Sequence, residues 1–202
     1  MNEQWPLMGF GIELTPITVD KLEKIRAWRN HPDITKFMID KNIISAVQQQ
    51  AWFSRLAEKK QQMYLLISYK GEDIGVIYAS TCVAYNSPVQ VNMNDEANTE
   101  VTPLDLATVI NPGLYIAPDC KYKNSILAFS PSLVFIEYLF KQGRCNYLQA
   151  QVFKYNNSAI RYNEMLGYQQ DEMNEHGLVT MTLSLENFTL AKAKLSKILR
   201  FK

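Results

Sequence analysis

Tyr147-Leu148-Gln149-Ala150-Gln151-Val152-Phe153, followed by Lys154-Tyr155-Asn156-Asn157-Ser158-Ala159-Ile160-Arg161-Tyr162-Asn163-Glu164-Met165-Leu166-Gly167-Tyr168, decides the fold of this chain. In the first seven residues Leu148, Ala150 and Val152 share one face and Gln149 and Gln151 the other, the period of a half-buried strand. Ala159, Tyr162 and Leu166 then recur at helical spacing, with Asn156 or Asn157 as N-cap and Gly167 as the stop. A strand that turns directly into a short helix belongs to a mixed α and β domain.

The flanking chain extends that unit. Ser130-Pro131 is an N-cap and first-turn pair ahead of an apolar helix from Leu133 to Phe140. Gln169 to Leu185 reads as two closing strands around Asn174-Glu175-His176-Gly177, and Glu186 to Arg200 as an amphipathic helix with Phe188, Leu195 and Leu199 opposite Lys192, Lys194 and Lys197. Upstream, Thr108 to Ile116 is a strand interrupted by Pro112-Gly113, where a bulge or splay is expected. Met63 to Tyr69 and Ile74 to Ser80 pair about a turn at Lys70-Gly71-Glu72-Asp73. Phe10 to Ile17 reads as a first strand, followed by a helix capped at Thr18 or Asp20 with Leu22, Ile25 and Trp28 on one face. Proline disfavours helix in the residue before it, so that helix ends near Asn30-His31-Pro32. Ile44-Ser45 opens a second helix containing Trp52-Phe53.

Length and composition narrow the class. The 202 residues suit one domain, and 47% hydrophobic with 20% charged residues describes a globular chain rather than a disordered one. A net charge of +1 carries no nucleic-acid footprint. Cys82, Cys120 and Cys145 are odd in number with no C-x-x-C spacing, so neither a disulfide framework nor a metal site is expected. No apolar run approaches the roughly 18 residues of a membrane span, and a cytoplasmic location is expected.

The run Val152-x-x-x-Asn156-x-x-Ala159, closing on Leu166-Gly167-Tyr168, resembles the strand-turn-helix of the GCN5-related N-acetyltransferases. Ile25-Arg26-Ala27-Trp28-Arg29-Asn30-His31-Pro32-Asp33-Ile34, with Ile44-Ser45 and Trp52-Phe53, resembles one branch of them: the ribosomal-protein N-terminal acetyltransferases and, more closely, enzymes that N-acetylate 4-amino sugars on nucleotide carriers. That branch often has a histidine where Gln49 stands here. The resemblance implies an α+β fold with a mixed, mostly antiparallel sheet of six to seven strands, helices on both faces, and a splay between its fourth and fifth strands for the pantetheine arm of acetyl-CoA. The domain is expected over residues 1–185, with an insertion at 83–106 beside the acceptor site and the C-terminal helix at 186–202. Expected partners are a small-molecule amine and no nucleic acid; a homodimer stays open.

The same resemblance distributes the chemistry. Arg26, Trp28, Arg29 and Asn30 are expected at the acceptor, the arginines and amide supplying donors for phosphate or hydroxyl groups. Backbone N–H groups at Leu114, Tyr115 and Ile116 are expected to meet the cofactor arm and polarise the thioester oxygen. The pyrophosphate loop falls on Lys121, Lys123, Asn124, Ser125, Ile126 and Ala128, without the usual glycines; Asn156 is expected to contact the arm. Tyr162 lies one helical step, about 100°, from the family's acid position at Asn163. Glu100, Asp105 and Glu137 are candidate bases, Glu137 more naturally an anchor for its own helix. Two other functions stay open: protein N-terminal acetylation, and a non-catalytic binding module that keeps the fold without using the cofactor.

Overall fold

The computed structural model describes residues 5–81, 102–142, 145–174 and 176–199. Among the described residues eight strands form one sheet: β1 (Leu7–Gly9), β2 (Ile12–Pro16), β3 (Gln62–Tyr69), β4 (Glu72–Thr81), β5 (Val109–Ile116), β6 (Tyr147–Phe153), β7 (Gln169–Met173) and β8 (Leu178–Ser184), in the order β1-β2-β3-β4-β5-β6-β8-β7. The helices are α1 (Leu22–Asn30), α2 (Pro32–Thr35), α3 (Ala46–Leu56), α4 (Ser130–Gln142), α5 (Asn157–Met165) and α6 (Leu185–Leu199).

The additional strand comes from the N-terminus. Phe10 and Gly11 take left-handed backbone angles, φ 52° and 77°, and fold the expected single strand into a hairpin whose outer arm is β1. Lys70 and Gly71 make the corresponding turn between β3 and β4.

Helices cover both faces. Leu22, Ile25 and Trp28 of α1 pack with Leu66, Val76 and Ala117 on one side. Leu133, Phe135, Ile136 and Leu139 of α4 and Phe188 and Leu195 of α6 pack on the other, against Leu65, Ile77, Leu148 and Met181. Two of the expected helix starts do not hold: Thr18 spends its hydroxyl on Asp20 and caps nothing, and Ser130 is already helical with its Oγ buried and unpartnered, the capping serine there being Ser125. Elsewhere local chemistry sets the helix ends as anticipated. Ser45 forms a reciprocal capping box with Gln48, the Asn156 side chain accepts from the Ala159 N–H, and Gly167 leaves α5 at φ 98°.

The two strands that matter most barely touch. β5 pairs with β4 from Ile110 to Ile116 without a register shift, so of the bulge or splay expected at Pro112-Gly113 it is the splay that forms, on the β6 side. Against β6 it pairs, in parallel, only through Val109–Tyr147 and Ile110–Leu148. Beyond Ile110 the strands part into a slot. Proline is tolerated there because its missing N–H faces a side with no ladder to complete.

Candidate active site

Backbone alternation along β5 fixes which groups look into the slot. The Ala117 N–H donates to Ile74 O at 2.8 Å, and the Tyr115 carbonyl lies against Gly75, so residues 115 and 117 turn their backbone polar groups toward β4. Residues 112, 114 and 116 therefore turn theirs toward the slot. Leu114 and Ile116 present N–H groups there as expected. Tyr115 does not: its N–H belongs to the β4 ladder, and it contributes its ring to the α1 face instead.

The loop between β5 and α4 is wound without glycine. Lys123 N–H donates to Cys120 O and Ser125 N–H to Tyr122 O, while the Ser125 hydroxyl caps the 3-10 turn Ile126–Phe129 by accepting from Leu127 N–H. Among the described residues the N–H groups of Asn124 and Ile126 meet no acceptor. Ile126 packs against the core on the α4 face. Lys121 is exposed and 3.6 Å from Glu72, and Lys123 lies near enough to lower the Asp33 carboxyl, together with the stronger effect of Lys36.

Tyr162 stands under this corner. Its hydroxyl donates to Ala128 O at 3.0 Å and sits 2.8 Å from Ser132 Oγ, and its ring stacks on Phe129 with centroids 4.5 Å apart. Since the phenol has one proton and gives it to Ala128, Ser132 is the donor of the second bond. Burial pushes the phenol well above its ordinary range, against the smaller effect of Ser132. The side chain expected as an acid is thus a strut between α5 and the start of α4.

On the opposite face, α1 holds the chain that leads into α3. Arg26 Nη1 donates to Ile44 O at 3.0 Å, and the Asn30 amide both donates to Ile44 O at 2.8 Å and accepts from the Ile44 N–H at 2.9 Å. Trp28 is in the core. Three of the four expected acceptor residues are therefore occupied in shaping the cleft wall.

Arg29 differs. Its Nη2 donates to Asp40 O at 2.6 Å, but Nη1 is buried with no partner, and among the described residues no carboxylate pairs with the guanidinium. Tyr64, Tyr78 and Tyr115 surround it electrostatically. Burial raises all three phenols, and the Arg29 charge opposes the rise in each. Tyr64 and Tyr78 stack at 5.1 Å, and Trp52 meets Tyr64 edge-on at 5.0 Å. The guanidinium charge is therefore left without a counter-charge among these groups.

Among the candidate bases, Glu100 lies outside the described residues. Asp105 is exposed in a turn whose neighbour, Leu104, donates to Lys60 O, beyond the closed end of the slot. Glu137 is bound by Lys192 at 2.6 Å and Lys141 at 3.1 Å, which ties α4 to α6. Asn156 spends Oδ1 on its capping bond. Sequence reasoning missed Tyr64, Tyr78 and Gln151. The only signals were the symmetry of the two tyrosines about the Lys70-Gly71 turn and the placement of Gln151 on the strand face away from Leu148. Among the described residues no cluster of His, Cys, Asp and Glu is arranged to hold a metal, and no helix is long and apolar enough to cross a membrane.

No protein-family model matches the chain. It is 27% identical over 161 residues to acetyltransferase PseH of Campylobacter jejuni subsp. jejuni serotype O:23/36 (strain 81-176), covering 78% of this chain and 85% of that protein. Among solved structures it resembles AAC(6')-Ib in complex with ribostamycin and coenzyme A, with a TM-score of 0.69 at 18% identity over 89% of this chain and 96% of the other. It also resembles a GCN5-related N-acetyltransferase from Brucella melitensis, with a TM-score of 0.68 at 14% identity over 98% and 86%.

Proposed function

We propose that this chain, which shares the fold of a GCN5-related N-acetyltransferase and is 27% identical to an acetyltransferase, moves the acetyl group of acetyl-CoA to the amine of a small anionic acceptor, a 4-amino sugar on a nucleotide carrier. The observation that carries the acceptor class is Arg29. A half-buried guanidinium beside three phenols, with Nη1 unpaired, leaves a charge that an acceptor phosphate completes with two parallel hydrogen bonds.

The remaining parts follow from position. The acetyl-CoA arm lies in the slot between β5 and β6, where Leu114 and Ile116 offer N–H groups to the pantetheine amides and the thioester oxygen. Its pyrophosphate meets the 121–128 loop, where the Asn124 and Ile126 N–H groups and the Lys123 ammonium stand in for the usual glycine-backed donors. Asn156, at the start of α5, keeps its Nδ2 for the arm. In the transfer the neutral amine nitrogen bonds to the thioester carbon, the C–S bond breaks, and the thiolate leaves and takes up, through water, the proton that the acylated nitrogen sheds. The amine proton passes to water, because an alkylammonium near pKa 10 must lose it before attack.

Two measurements test this reading. Isothermal titration with acetyl-CoA, with desulfo-CoA as control, is expected to give micromolar binding. A thiol-release assay with a uridine-diphosphate-linked 4-amino hexose is expected to show transfer that uridine diphosphate inhibits competitively. Arg29→Met should raise the acceptor KM by about 10- to 100-fold, the scale of one charge-assisted contact, and leave acetyl-CoA affinity unchanged. Equal activity on neutral amines, indifferent to Arg29→Met, would refute the anionic acceptor.

A further inference from the structure

A second orphaned polar group faces the same cleft from the other side of the slot. Gln151 is on β6 with its neighbours Ala150 and Val152 in the core on the α4 face, so its own side chain projects to the α1 face. Two residues on, along that same face, Phe153 stacks on Tyr155 at 5.1 Å, and Lys41 and Phe37 of the α2–α3 connection lie over this pair. Gln151 Oε1 is buried and accepts no hydrogen bond. Its ladder partner across β6–β8 is Thr180, and β5 has parted from β6 before this level.

What stands opposite is informative. Counted three residues on from the last pair, Ile110–Leu148, Gln151 and Gly113 stand at the same level of the two parted strands. A Cβ at Gly113 would fall 2.4 Å from both Cζ and Oη of Tyr78. Gly113 is therefore the gap through which the Tyr78 hydroxyl reaches over β5 toward the slot. One residue further, Leu114 turns its N–H into the slot. A carboxamide on β6 and a phenol from β4 thus border the α1 side of the slot at the level where Leu114 turns its N–H into it, with Arg29 near Tyr78.

We propose that the Gln151 carboxamide holds the acceptor amine at this opening, accepting a hydrogen bond from it while the Tyr78 hydroxyl closes the opposite side of the Gly113 gap. The proposal rests on the amine-acetylation reading above and adds the residue that orients the nucleophile. A carboxamide takes no proton, so Gln151 fixes direction and does not act as the base. A buried unpaired acceptor is costly in the empty protein and is repaid when an N–H arrives. The same geometry requires an amine that keeps an N–H for Gln151 while its lone pair points at the thioester.

The test uses the full chain with acetyl-CoA and the uridine-diphosphate-linked 4-amino hexose. Gln151→Leu is expected to lower kcat/KM about tenfold, the scale of one hydrogen bond to the nucleophile, with acetyl-CoA affinity by titration unchanged. Gln151→Glu places a carboxylate beside the ammonium, raises the bound amine's pKa, and should move the rising limb of kcat against pH upward. A purely structural glutamine would not shift that limb. Gln151→Asn, which withdraws the carboxamide by one methylene, is read in the same way should the leucine variant fail to fold. Wild-type kcat, KM and pH profile in these variants would overturn the proposal and leave the acetylation reading standing. A wild-type protein that binds acetyl-CoA but acetylates no amine would overturn both.

Discussion

Arg29 and Tyr162 show how one residue's meaning depends on whether its polar atoms are already spoken for. Arg29 keeps a buried donor without an acceptor, and an uncompensated charge of that kind is tolerated where a ligand completes it. Tyr162 keeps nothing in reserve: its proton is on Ala128 O, its oxygen receives Ser132, and its ring is stacked on Phe129. Tyr162→Phe is therefore expected to lower stability by about 1–3 kcal/mol, measured by thermal or urea unfolding, and to leave the shape of the pH–rate profile unaltered. Loss of a proton-donating limb from that profile, with stability intact, would restore the acid role to this residue. Ser132 gives the same reading from the other end of the bond, and its alanine variant should phenocopy the stability loss.

Between elements, the clearest device is the anchor of α1 on the β3–β4 turn. Asp73 receives Lys24 Nζ at 2.8 Å and Lys21 Nζ at 3.0 Å, and Ser68 donates to its other oxygen at 3.3 Å. Burial by itself would raise the Asp73 carboxyl, but the two ammonium groups together outweigh it and hold the group below its ordinary value of 3.8. A carboxylate depressed on folding contributes stability that is full above that ordinary value and is lost as pH falls through the lower folded one. The melting temperature of the wild type should accordingly fall more steeply below about pH 4 than that of Asp73→Asn, and the two should converge in acid. Parallel slopes would dismiss the anchor.

The elements themselves were largely legible in the chain because local rules agree with their burial. Leu148, Ala150 and Val152 alternate and are buried; Ser45 and Asn156 are cap residues and cap. Phe10 misled because an aromatic before a strand pattern reads as strand, whereas its left-handed backbone makes it turn. The site was less legible, since it is assembled from sums over distant strands. That Arg29 lacks a carboxylate, or that Gly113 admits Tyr78, depends on β3, β4 and β5 lying side by side, and no spacing along the chain carries that information.

At the scale of the whole molecule the sheet is two leaves joined by two residue pairs, with Ile110 and Leu148 almost wholly buried at the join. Acetyl-CoA bound between the leaves should slow hydrogen exchange at the Leu114 amide much more than at Tyr115, whose N–H is already in the β4 ladder. Equal effects at both amides, read by residue-resolved exchange, would contradict the alternation deduced for β5. The leaves are also consecutive in the chain: β1 to β5 end at residue 116, and β6 to β8 begin at residue 147. A growing polypeptide can thus complete the first leaf, Arg29 and its tyrosines included, while the second is still unmade. The slot between β5 and β6 exists only once the second leaf has docked, so occupancy by acetyl-CoA doubles as a report that the two leaves have joined.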